Sequence, residues 1–119
     1  MPTDGPTGAQ AMFGDFAPQL VHLTDDVLFG QVWPDEGLSR RDRSLVTVAA
    51  LVALYRGNEL PFHLKTAMDN GLSAEELKHA ITHLAFYAGW PNAMTAMSRL
   101  KEIVEEGSGD AAHRAAPDQ

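Results

Sequence analysis

The sequence predicts an all-α fold, a compact helical bundle of about five to six helices. Three observations carry that expectation. Apolar residues recur at three- and four-residue steps over most of the chain, and no stretch alternates with period two for long enough to make a strand. Glycine and proline fall between the periodic stretches, where helices stop and start. Ser73-Ala-Glu-Glu76 has the spacing of a capping box that opens a helix.

The elements follow in order. Residues 1–10 hold two Pro and two Gly without an apolar period and read as a loose N-terminal arm. A helix is expected over about 15–30, with Pro18 in its first turn and Leu20, Leu23, Val27 and Leu28 as its apolar set. After the loop Trp33-Pro-Asp-Glu-Gly37, Ser39 caps a second helix, with Asp42 three residues on. This helix runs to about Arg56 and is apolar nearly all round, the mark of a buried, central element. Gly57-Asn58 breaks it, and Asn58 caps a third helix that stops at Asn70-Gly71. The fourth spans 74–88 and stops at Gly89. Pro91 opens the fifth, whose stripe of Ala93, Met97, Leu100 and Val104 ends at Gly107. Residues 11–106 thus form one helical domain, and 107–119 read as a flexible tail.

Composition narrows the function. The 119 residues carry a net charge of −7, which argues against a nucleic-acid or anionic-membrane surface. The absence of cysteine removes disulfides, thiolate metal sites and thiol redox chemistry. The longest apolar run, residues 45–55, is too short to span a bilayer, and with no cationic segment followed by an apolar one at the start, a signal peptide is not expected. A cytoplasmic protein is the expectation. Phe86 points away from the face made by Leu77, Ala80, Ile81, Leu84 and Ala88. With Trp90, Trp33 and several Met, it suggests a contact with a second copy of the chain.

The sharpest chemical feature is Glu59-Leu-Pro-Phe-His63. Positions i and i+4 share a helix face, so the carboxylate can set the tautomer and acidity of the imidazole. That suits general acid/base catalysis, while an ordinary surface ion pair is the plainer reading of the same spacing. His79, His83 and Tyr87 step along the edge of the fourth helix. His83 and Tyr87 can line a pocket, or serve as a boundary histidine and an anchored tyrosine. Glu59, His63, His79 and His83 together offer a metal set, though no tight local signature supports one, and no metal is expected. Arg40, Arg41 and Arg43 crowd a helix start, where cations are disfavoured unless an anion is bound there; Arg56 stands just ahead of Glu59. His22 and His113 show no partner pattern.

At these residues the chain resembles the carboxymuconolactone decarboxylase family, within the alkylhydroperoxidase D-like superfamily. The matching pieces are L-S-R-R-D-R-S-L-V-T-V-A-A-L, then N-E-L-P-F-H-L-K-T-A-M-D-N-G with His63, Ala67 and Gly71. The last is L-S-A-E-E-L-K-H-A-I-T-H-L-A-F-Y-A-G-W-P with Tyr87, Gly89 and Pro91. The resemblance covers about residues 25–105. It implies a trimer or hexamer with active sites near subunit contacts. The peroxidase branch of the superfamily uses two cysteines, which here are Arg56 and Glu59, and an acidic relay residue, which here is Ser44. The chain is therefore expected not to be a peroxidase and to be similar to the thiol-free branch. That branch decarboxylates an unsaturated lactone in aromatic catabolism, with no metal or organic cofactor. The resemblance implies His63 as proton donor, or as the group polarising the carbonyl, oriented by Glu59. It implies Arg43 as a partner for a substrate carboxylate, with His83, Tyr87, Arg56 and Trp90 shaping the binding site. Two alternatives stay open. One is a cofactor-free isomerase, ring-opening enzyme or decarboxylase of a biosynthetic pathway. The other is a non-catalytic, oligomeric small-molecule-binding protein.

Overall fold

The computed structural model describes the backbone of residues 8–115 and the side chains of residues 8–107. The described residues form helices and no strand. They are α1 (Gly8–Phe13), α2 (Pro18–His22), a π-helical segment (Leu23–Val32), α3 (Arg40–Ala53), α4 (Leu60–Asp69), α5 (Ala74–Ala88) and α6 (Trp90–Ala115). The chain divides into two units, one up to Arg40 and one from Arg41 onward.

In the first unit the expected single helix over 15–30 is two pieces, α2 and the π-helical segment that continues it, and α1 precedes them. Gly14, at φ +38°, ends α1, so residues 8–10 of the expected arm are already helical. Beyond α2 the turns widen: the N–H of Trp33 bonds back five residues to the carbonyl of Leu28 at 3.0 Å. Apolar spacing of four and five residues serves either helix width, so sequence alone could not separate them. Trp33 is buried, and its ring stacks on Phe29 at 6.4 Å.

The second unit holds one hydrophobic core. α3 supplies Val48 and Val52, and α4 supplies Leu60, Leu64 and Ala67. α5 supplies Leu77, Ile81 and Ala85; α6 supplies Ala93, Ala96, Leu100 and Ile103. α6 packs along both α4 and α5. Leu64 is fully buried, so Leu64→Ala would cost about 2–5 kcal/mol. The expectation of an all-round buried α3 needs correcting. Val46 on α3 and Leu54 just past its end are exposed, so the helix buries one face only. Its one buried polar side chain, Ser44, accepts a hydrogen bond from the Asn70 amide at 3.0 Å. At that position, where the peroxidase branch of the resemblance has an acid, the hydroxyl ties α3 to the end of α4.

The helix ends follow from local chemistry. The Ser73/Glu76 capping box is formed in both directions, at 3.0 and 2.9 Å. Glu76 is held below the usual carboxylate range, first by the Ser73 N–H and then by Arg41. Gly89 turns α5 into α6 at φ +109°, a conformation that L side chains rarely adopt. Glu59 rather than Asn58 occupies the N-cap position of α4, without a side-chain capping hydrogen bond, and the helix starts at Leu60. α6 begins at Trp90, and Gly107 does not stop it: the helix continues to Ala115. A glycine inside a helix costs only about 1 kcal/mol relative to alanine, too little to end this one. Residues 1–7 of the expected arm and 116–119 of the expected tail lie outside the described residues.

Candidate active site

The site is built on the connection between α3 and α4. α3 ends in a Schellman motif. The N–H of Arg56 bonds to the carbonyl of Leu51 at 2.8 Å, and that of Tyr55 to Val52 at 3.1 Å. The pivot residue of such a motif needs positive φ and is usually glycine. Here it is Tyr55, at φ +60°. α4 ends in the same motif with Gly71 as its pivot, which shows what the local geometry ordinarily selects.

α6 grips this connection from the side. The Asn92 amide donates to the carbonyls of Val52 at 2.8 Å and Ala53 at 3.2 Å, tying α6 to the last turn of α3. Arg99 Nε donates to the Gly57 carbonyl at 3.3 Å, and the Thr95 hydroxyl to the Tyr55 phenol oxygen at 3.4 Å. A Cβ on Gly57 would stand 3.2 Å from Thr95 Cγ2, so glycine is what lets the loop lie this close to the helix. Between loop and helix runs an open cleft of about 280 Å³, bordered by Tyr55, Arg56, Asn58, Glu59, Thr95 and Arg99.

Glu59 borders the cleft and also acts on His63 one turn along α4. His63 is half-buried and meets the Phe62 ring edge-on at 5.0 Å. Burial lowers its pKa from the ordinary value, and the Glu59 charge pulls it back up. Burial is the larger of the two influences, so this imidazolium gives up its proton more readily than an ordinary histidine.

The remaining expected site residues fall in other groupings. His83 and Tyr87 face each other along α5, ring centroids 4.8 Å apart, and both are exposed. Trp90 meets Phe86 edge-on at 5.6 Å, across the α5–α6 turn. Arg43 is half-buried on α3, and its backbone carbonyl accepts from the Thr47 hydroxyl at 2.8 Å. Its neighbour Arg41 forms an ion pair with Glu76 on α5 and another with Asp42 at 3.4 Å. Among the described residues no group of three His, Asp or Glu side chains is placed to hold a metal ion. No described helix is long and apolar enough to cross a membrane. His22 does have a partner, since its Nδ1 lies 2.8 Å from Asp26 Oδ2 at i+4. The side chain of His113 lies outside the described residues. Arg99 and Thr95 escaped the sequence reading. The available signal was their i, i+4 spacing beside the apolar stripe of α6, which names no partner by itself.

Residues 18–102 match the model of the carboxymuconolactone decarboxylase family. A 4-carboxymuconolactone decarboxylase of Acinetobacter baylyi is 39% identical over 92 residues, covering 77% of this chain and 69% of the relative. The nitrosuccinic acid decarboxylase npaB of Metarhizium robertsii is 32% identical over 89 residues, 71% of this chain and 62% of the relative.

Proposed function

Since the chain belongs to the carboxymuconolactone decarboxylase family, we propose that it removes CO₂ from a small carboxylic acid by acid/base chemistry, with an unsaturated γ-carboxylated lactone as the first candidate substrate. Both relatives are named as decarboxylases. The compounds in their names share a feature: the electrons left by departing CO₂ have a conjugated acceptor in the molecule, a lactone carbonyl or a nitro group. The observation that carries the reading is His63, half-buried beside Glu59 at the start of α4.

The chemistry balances without a cofactor. The bond from carbon to the carboxylate breaks and CO₂ leaves. Its electron pair moves through the double bond onto the lactone carbonyl as a dienolate. The His63 imidazolium then gives its proton to carbon and is reprotonated from water, so each turnover takes up one proton. Glu59 holds the imidazolium in position and favours its charged form. Arg43 is the proposed partner of a substrate carboxylate, and His83, Tyr87, Arg56 and Trp90 shape the site.

The working form is proposed to be a homotrimer or homohexamer acting in the cytoplasm on a product of aromatic catabolism. Support for assembly comes from the exposed rings of Phe86, Tyr87 and Trp90, which are 73%, 79% and 57% accessible in the single chain. The exposure of Glu59 favours a second reading, a binding protein without turnover. An ultraviolet assay with 4-carboxymuconolactone and related lactones separates the two. Loss of the substrate chromophore with CO₂ release supports the enzyme. Binding without CO₂ release supports the second reading.

A further inference from the structure

The cleft between the α3–α4 connection and α6 brings Tyr55, Asn58, Thr95 and Arg99, which the family resemblance leaves without a role, beside Arg56 and Glu59. Two guanidinium groups, Arg56 and Arg99, border it against one carboxylate, Glu59. Arg99 is held from two sides, by the Gly57 carbonyl and by Glu102 at 3.5 Å through Nη1. Its guanidinium is thus oriented before any ligand arrives. The Tyr55 phenol, the Thr95 hydroxyl and the Asn58 amide border the same space. Tyr55 sits there in a left-handed conformation that disfavours a side chain, and such outliers gather where a site needs a particular group.

We propose that Arg99, with Arg56, forms a binding subsite in this cleft for a carboxylate that the substrate keeps through the reaction. The proposal rests on the decarboxylase reading and adds to it the residues that hold the retained carboxylate. The reason is energetic. A cation on the departing carboxylate would stabilise the ground state and oppose its conversion to neutral CO₂. A cation on the retained carboxylate stabilises ground and transition states alike, so it sets affinity and leaves the chemical step alone. Glu59 borders the cleft and its charge acts on His63 one turn along α4, so the cleft and the acid/base pair share a residue.

The test is a titration of the full chain with succinate at fixed ionic strength, followed by NMR. Wild type is expected to bind succinate, and Arg99→Gln to weaken it about tenfold. Arg99→Lys, which keeps the charge and loses the planar fork, should fall between. Lys101→Gln makes the same charge change elsewhere on α6 and should leave affinity within about twofold. Thermal midpoints of the variants check folding. If Arg99→Gln is unfolded, the comparison of Arg99→Lys with Lys101→Gln decides. No succinate binding by wild type, equal binding by Arg99→Gln, or an equal loss in Lys101→Gln would overturn the subsite. On a dicarboxylate lactone the same Arg99→Gln should raise KM and hold kcat within about threefold. A chain that binds succinate through Arg99 and releases no CO₂ keeps the subsite and loses the decarboxylase reading. CO₂ release with succinate affinity unchanged in Arg99→Gln does the reverse.

Discussion

The imidazole of His63 answers to two opposed influences, and the larger one is desolvation. Burial penalises the imidazolium, so its pKa lies below the ordinary histidine value of about 6.5. The proposed proton donor is that imidazolium. Activity should therefore be highest on the acid side and fall as pH rises through the lowered pKa. Glu59→Gln removes the charge that opposes burial, so the falling limb should move to still lower pH. A pH–rate profile of the two proteins reads this directly; an unmoved limb would deny Glu59 its tuning role. The two residues should also be non-additive. Glu59→Gln should slow turnover less than His63→Ala, and little further in the double variant. This pair was legible in the sequence because its partners lie four residues apart on one helix. Arg99 was not legible. Its loop contact, Gly57, lies 42 residues away in the chain, and only packing of α6 brings them together.

At the scale of elements, the connections at either end of the α3–α6 assembly depend on different residues. Gly89 takes φ +109° and ψ 147°, and a Cβ there would meet nothing closer than 3.8 Å. Gly89→Ala should therefore cost only its backbone strain, about 1–3 kcal/mol, seen as a lower denaturation midpoint. At Tyr55 the argument runs the other way. Tyr55→Gly relieves about 1–2 kcal/mol of left-handed strain and gives back about 0.5–1 in chain entropy. Stability should stay within about 1 kcal/mol of wild type, although a side chain bordering the cleft is lost. A large fall in the midpoint would mean that Tyr55 is a packing residue instead. Helix positions were readable where a cap or a glycine stop acts locally, as at Ser73 and Gly89. They were misread where the outcome depends on competition. Gly107 was too weak a breaker to end α6, the hydrogen-bond register beyond Leu23 left no mark in apolar spacing, and α3 looked buried all round because outward Val46 and Leu54 resemble core residues.

For the whole molecule, the exposed aromatics around the α5–α6 turn require an explanation that a single chain does not provide. Phe86 was already marked by its position opposite the apolar face of α5, and the structure leaves it uncovered. Assembly should show in light scattering as a mass of three or six times 12.9 kDa at micromolar concentration. Phe86→Glu should shift that mass toward the monomer; a monomeric wild type would remove the proposed assembly. The family was legible from three motifs spread across the chain. The choice of substrate was not, because the proposed site groups lie on α3, α4, α5 and α6 and no motif encodes their distances.

The central claim is that His63 supplies the proton that replaces CO₂. The most direct measurement is the rate of CO₂ release from 4-carboxymuconolactone by wild type and by His63→Ala. Circular dichroism and oligomer mass are matched between the two proteins. A loss of about 10²–10⁴ in turnover, the usual worth of general acid catalysis, is the expected result. Turnover by His63→Ala equal to that of wild type would contradict the mechanism.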